Sequence, residues 1–461
     1  MSFLGLDIAI SALRANQYAL NVTGHNIANA GTKGYHRQEA IFLPGATTSG
    51  GTSTGQGIPQ LGTGVEIHEI RRLQSSHIDG QIRAMNQFLG SCSTQNDSLK
   101  QVESVFAEPG GAGLSTALDK YWNTWDELAS NPESLSARIG VVEAGIALSD
   151  RFRTLNANLH EVQVQADKEI QNDASRINDL ANQIASINRE LVRSANGVVA
   201  PNDLLDRRDI LIDELSNMAR IQTFGDGGAD FILSISGKVL VQGEHVTELA
   251  VSRGADGWTE LTWTGDGSTF DPEGGEIAGL MNVRSVTVSG YIDSLNTIAS
   301  TLVDRVNQMH LTGLDLNGNP TGPFFVPGTD ASNMGVDAAL IAAPSALATS
   351  TTGRPGDNQL AMAIAGIRDE VLIDGQLIGT AYNNLVVRMG SHSREATTQN
   401  EVNAVSLQYL ETQRESMAGV SIDEEMINMV KFQQAYNAAA RIVSVLDEMI
   451  DTVVNRMGTG R

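Results

Sequence analysis

The apolar spacing near the C-terminus limits what this chain can fold into more than any other feature. Met429, Phe432, Tyr436, Ala439, Val443, Leu446, Ile450, Val453 and Met457 follow steps of three and four with no polar residue among them. That is the seam of a helix that packs on another helix. Ser421 with Glu424 predicts a capping box ahead of it. An isolated helix of this kind is marginal in water and needs a partner. The N-terminus offers one, because Phe3, Leu6, Ile10, Leu13, Gln17, Leu20, Gly24 and Ile27 repeat the same steps, weakened at Gln17 and Gly24. The two ends are therefore expected to pair as a coiled coil.

Between the ends the texture changes several times. Residues 44–64 are rich in Gly, Ser and Thr and read as a mobile loop, and VEIHEI at 65–70 reads as a short strand. From 71 to 220 the pattern is helical. Its longest segment is expected from Asn131-Pro132 to Asn196-Gly197, with Leu135, Ile139, Val142 and Ile146 as one seam and Ile177, Leu180, Ile184, Ile187 and Leu191 as another. Unbroken, it would be on the order of 90 Å long. A further helix follows Pro201, with Leu204, Leu211, Leu215 and Met218 on one face. FILSISGKVLVQG at 231–243 alternates Phe231, Leu233 and Ile235 with small or polar neighbours, turns at Gly237-Lys238 and resumes with Val239 and Val241. ELAVS and WTELTWTGDG behave alike, so 221–275 reads as a small β insert. Helix returns at 289–310 and again through 380–418, with loop-rich sequence between.

The fold expected is thus mainly α with a β-rich insert, in an elongated multi-domain subunit. Residues 1–64 and 405–461 form the terminal core. Residues 65–220, 276–312 and 380–404 form the helical rod, 221–275 the insert, and 313–379 a loop-rich outer region.

A formal net charge of −23 argues against nucleic acid and anionic membrane surfaces as partners. Cys92 is the only cysteine, so no intramolecular disulfide forms. The opening MSFLGLDIAISALRANQ lacks the basic start and apolar core of a secretory signal, and no window approaches ~18 uninterrupted apolar residues.

Candidate chemistry is thin. Gly51-Thr52-Ser53-Thr54-Gly55 matches the letters of a nucleophile elbow but lacks the strand before it and the helix after it. Asp315-Leu316-Asn317-Gly318-Asn319 starts like a calcium loop, but Pro320 and Val326 stand where Gly and Glu are needed, so an Asn-Gly turn is expected. His25, His36, His68 and His77 show no metal-ligand spacing and read as solvated or structural. Asp206-Arg207-Arg208-Asp209 reads as surface ion pairing on a helix. No catalytic, cofactor or metal residue is assigned.

Four stretches carry a resemblance. NIANAGTKGYHRQ at 26–38 presents Asn26, Asn29, Thr32, Gly34 and Tyr35 in an Asn-x-x-Asn-x-x-Thr-x-Gly-aromatic run. With NDLLDRRDILIDELS (202–216), GLDLNGNPTGPFF (313–325) and GVSIDEEMINMVKFQQAYNAAARIVSVLDEMID (419–451), it resembles the bacterial flagellar axial proteins: rod, hook and hook-associated proteins. Tyr35 followed by Arg37 is similar to the hook-associated members, with a hook or rod protein as the alternative. The resemblance implies a structural, non-enzymatic part of the flagellum at the hook–filament junction, outside the cell, exported by the flagellar type III route without a cleaved signal. Implied partners are copies of itself, hook protein, a second junction protein (hook-associated protein 3), the flagellin filament and an export chaperone. Implied interface residues are Leu6, Ile10, Leu13, Asn26, Asn29, Thr32, Gly34, Tyr35, Arg37, Met429, Phe432, Tyr436, Val443, Leu446, Ile450 and Val453. Residues 21–38 would be a shaped contact between neighbouring subunits, with Arg37 reaching a neighbour's acidic surface.

Overall fold

The computed structural model describes residues 4–46, 62–106, 113–194, 202–225 and 229–452. Helix α1 (Leu4–Asn29) leads into an antiparallel hairpin, β1 (Gln38–Pro44) with β2 (Val65–Arg72), in which Gln38 faces Arg72. Helices α2 (Ser76–Phe106), α3 (Leu114–Ser130), α4 (Leu135–Ser194) and α5 (Asn202–Met218) follow. The expected helix entry at Asn131-Pro132 is a turn instead. The Asn131 N–H closes α3 on the carbonyls of Glu127 and Leu128, and α4 starts at Leu135. Asn196-Gly197 and Pro201 lie outside the described residues.

Helix α4 serves two hydrophobic cores in succession. Val141, Leu148, Phe152, Leu155 and Leu159 belong to the first, and Ala166, Ile170, Ile177, Leu180 and Ile184 to the second. The second seam is the one the sequence predicted. The first holds in part: Val142 is buried and Ile146 packs against the core, whereas Leu135 and Ile139 are exposed and Val141 and Leu148 also point inward. The fully buried Arg138 lies on this inward side. Its guanidinium donates to the carbonyls of Pro132 and Leu347 and to Thr349 Oγ1 (2.9 Å), turning that face of α4 onto residues 345–349.

The second core is capped by the insert. Strands β3 (Ile221–Phe224), β4 (Ile232–Ile235), β5 (Lys238–Gln242) and β6 (His245–Val246) form a sheet in that order, and β7 (Leu249–Arg253) pairs with β8 (Thr259–Trp263). The register between β4 and β5 slips after Leu233, so Leu240 and Val241 both point inward and Val239 is exposed. A bulge of this kind defeats a strict two-residue alternation.

Helix α6 (Gly275–Asn282) runs through a π turn at Val283–Thr287 into α7 (Val288–His310), so the expected helix at 289–310 starts far earlier. At the π turn Arg284 pairs with Asp167 of α4 (2.5 Å), whose carboxylate also accepts from the N–H and hydroxyl of Thr259. This buried knot ties β8 to the rod.

Residues 313–379, expected outside, fold back as part of the first core. They carry α8 (Ala338–Ala342), α9 (Gln359–Ala365) and the short pair β9 (Val371–Ile373) and β10 (Gln376–Leu377). Phe324, Phe325, Met334 and Leu347 are fully buried against Tyr121 and Trp125 of α3 and α4's first half. Their apolar residues are too few and too irregularly spaced to show periodicity, yet they fill a core. Helix α10 (Ile378–Ala418) then packs along α2, and α11 (Ile422–Asp451) turns back to pack along α1.

Candidate functional site

The two chain ends meet as predicted, but through a different line of residues on α1. The buried positions are Ala9, Ala15, Ala19, Val22, Thr23 and Asn26. Leu6, Ile10, Leu13, Leu20 and Ile27 are half-buried, Gln17 is exposed, and Phe3 lies outside the described residues. Helix α1 is flanked by α11 and by the β1–β2 hairpin, and small side chains let both approach closely. On α11 the predicted seam does face inward. Ala439 is buried, Met429, Phe432, Tyr436, Val443, Leu446 and Ile450 are half-buried, and Val453 lies outside the described residues. The Leu446 methyls sit where α1 offers only Gly5, and the Phe432 ring lies 6.3 Å from that of Phe42 in β1.

Residues 26–38 form the joint between this hairpin and the rod. Past α1 the chain coils through successive turns, Thr32 N–H to Asn29 O (2.9 Å) and Tyr35 N–H to Thr32 O (3.2 Å). Gly34, at φ +75°, sits so close to Ile210 of α5 that a Cβ would fall 2.6 Å from its side chain. Asn26 is fully used: Nδ2 donates to Gln38 O (2.9 Å) and Glu425 Oε2 (3.0 Å), while Oδ1 accepts from Tyr35 OH (2.8 Å) and Gln38 N–H (3.0 Å). Burial, followed by the nearby Asp203, Asp206 and Glu425, pushes the Tyr35 hydroxyl's pKa up, so it stays a neutral donor. Arg37 Nε donates to Glu425 Oε1 and Nη1 to Glu424 Oε2, both at 2.8 Å, and the Arg37 N–H caps Ala418 O at the end of α10. Arg37 therefore pairs within its own chain. Ser421 caps α11 by accepting from the Glu424 N–H.

Behind the joint lies a chain of ion pairs. Asp206 of α5 accepts from the N–H and Nδ1 of His36 and from Arg72 (2.7 Å). Arg72 also reaches Asp209, Arg83 spans Asp209 and Asp213, and Arg414 of α10 closes on Asp213 (2.9 Å). The surface reading of the 206–209 cluster is corrected, since Asp206 and Arg208 are buried. Burial lowers the Arg83 pKa, but Asp213 and Asp209 outweigh it and hold the guanidinium more firmly charged; burial raises that of Asp79. His36, Asp206 and Asp209 cluster closely enough to suit a metal ion, but the Arg72 guanidinium already lies against both carboxylates and supplies the positive charge.

Of the predicted interface residues, Asn29 and Thr32 shape the turn: Asn29 Nδ2 bonds back to His25 O, and Thr32 is exposed. Sequence reasoning missed Glu425 and the second apolar line of α11. Ile422, Met426, Val430, Ile442, Val445 and Met449 all face outward and exposed. Their steps of three and four are visible in the sequence, interrupted at Gln434 and Ala438.

A long helical rod whose two chain ends form one hairpin defines an elongated axial-type subunit, and comparison with known proteins agrees. Residues 6–36 match the family "Flagella basal body rod protein", and 411–457 match "Flagellar basal body rod FlgEFG protein C-terminal". Residues 99–325 match "Flagellar hook-associated protein FlgK helical domain". Flagellar hook-associated protein 1 of Bacillus subtilis is 29% identical, covering 100% of this chain and 99% of the relative. Its counterpart in Escherichia coli is 24% identical, over 98% and 99%. The solved flagellar hook junction protein FlgK from Burkholderia pseudomallei shares the fold with a TM-score of 0.65 at 14% identity, covering 74% of this chain and 100% of that one. The chain is thus similar to flagellar hook-associated protein 1 over its whole length.

Proposed function

We propose that this chain is a structural subunit of the bacterial flagellum, built into the junction between hook and filament and needed for the filament to assemble. The observation that carries the reading is the two-faced α11. One apolar face is occupied by α1 and β1, and further large apolar residues from Ile422 to Met449 lie exposed around the remaining surface of the same helix. A helix apolar on both sides is a poor surface for a lone molecule and a good one for a packed array. Copies of the chain pack through this second face, with the hairpin (1–64 and 405–461) toward the axis and the insert (221–275) outward. Hook protein adjoins one side of the ring, and the second junction protein and the flagellin filament adjoin the other. The chain acts by contact rather than catalysis and reaches its place outside the cell by the flagellar export route, attended by an export chaperone.

The test is to detach flagella and label this chain. Label confined to the hook–filament boundary, together with filament loss in cells lacking the chain, is expected. Label along the hook or in the rod, with filaments retained, contradicts the reading.

A further inference from the structure

Strand β3 has a sheet neighbour on one side only, among the described residues. Which of its backbone groups point away from the sheet follows from the register. Ile221 faces Ile235, and the Ser236 N–H donates to Arg220 O (2.9 Å), so positions 220, 222 and 224 bond across to β4. Ile221 and Thr223 therefore aim their N–H and C=O groups outward. They open into a cleft of about 730 Å³ bounded by β3, the end of β2, the start of α2 and α5. Its rim holds Arg71, only 3.9 Å-paired with Glu39, and Arg220, paired with Glu273, each about half exposed. Arg72 and Arg83 line the wall. Five arginines, Arg71, Arg72, Arg83, Arg208 and Arg220, against Glu69, Asp79 and Asp209 leave the lining net positive on a chain of net charge −23. Phe224 stands at its mouth with 56% of its surface exposed.

We propose that β3 is a docking edge for an extended acidic segment of a partner protein, which adds as a further strand beside Ile221–Phe224. Main-chain bonds to Ile221 and Thr223 hold the segment about 4.8 Å from β3. Arg71 and Arg220 exchange their solvent-exposed intramolecular pairs for its carboxylates. The Phe224 ring covers a cross-strand side chain.

A fluorescein-labelled peptide of alternating threonine and glutamate, with a threonine–lysine peptide as control, tests this by anisotropy on the full chain. The acidic peptide is expected to bind at least about tenfold more tightly than the basic one. Thr223→Pro removes the outward donor without touching a bond to β4, and should weaken binding about tenfold with the circular dichroism spectrum unchanged. The surface pair Arg71→Glu with Arg220→Glu should abolish it, which keeps the test decisive if the proline variant folds poorly. Absence of binding, equal binding of both peptides, or full binding by Thr223→Pro overturns the proposal. So does a dimer in sedimentation that Thr223→Pro dissolves, because the edge would then belong to a second copy.

Discussion

A carboxylate with 2% exposure in the first turn of a helix must find donors, and Glu425 finds two, Arg37 and Asn26. Asn26 sits in the last turn of α1 and Arg37 in the segment between α1 and β1, so α11 seats fully only when both are in place. Arg37→Ala strips the charged partner and leaves a buried carboxylate with a single amide. The expected cost is about 3 kcal/mol, borne locally: hydrogen exchange should quicken from Ser421 through the first turns of α11 while α4 stays protected. Uniform loss of protection, or none, counts against the joint as described. His310 offers a second residue-level test. Its Nδ1 lies 2.7 Å from Gly322 O and its Nε2 accepts from the Ala348 N–H, an arrangement that requires neutral imidazole. Burial lowers its pKa from 6.5 to about 4, against a smaller upward pull from Gly322. Between those values the unfolded chain takes up the proton and the folded chain does not. The site's contribution is complete above about 6.5 and falls away as pH drops toward 4, by on the order of 3 kcal/mol. Urea midpoints measured at pH 7 and pH 4.5 should show this fall in the parent and a shallower one in His310→Asn. Equal slopes would contradict it.

At the scale of elements, the two faces of α11 should respond differently to the same substitution. Leu446→Asp puts a charge opposite Gly5 inside the hairpin and should destabilise it by roughly several kcal/mol. Ile442→Asp falls on the exposed face and should leave the monomer's melting temperature unchanged while blocking assembly. Equal effects of the two on the monomer would mean the faces are misassigned. This contrast also marks how far the sequence could be read. The seam from Met429 to Ile450 was legible because α1, joined by Phe42 of β1, covers it along a single line. The α1 line was not, because two partners at an angle move burial onto Ala9, Ala15 and Ala19, which carry little hydropathic signal. The 202–216 stretch was legible as a helix but not as the floor of the joint. Its aspartates look like any solvated face until Arg72, Arg83 and Arg414 arrive from distant elements. The bulge at Leu233 and the inward packing of Phe324 and Phe325 depend on tertiary partners in the same way.

The whole molecule joins an acidic helical rod with its own two cores to a hairpin that has one apolar face more than its own chain can cover. The rod should therefore fold alone, and the hairpin should gain most of its order from neighbouring copies. The most direct measurement is photo-crosslinking in intact flagella, with a benzophenone amino acid placed at Met426 or Val445 on the outward face. Val286, exposed on the rod's π turn, serves as the reference position. The account predicts covalent dimers of this chain from Met426 and Val445 and none from Val286. Crosslinks that stay within one chain at both α11 positions, or dimers from Val286 alone, would contradict it.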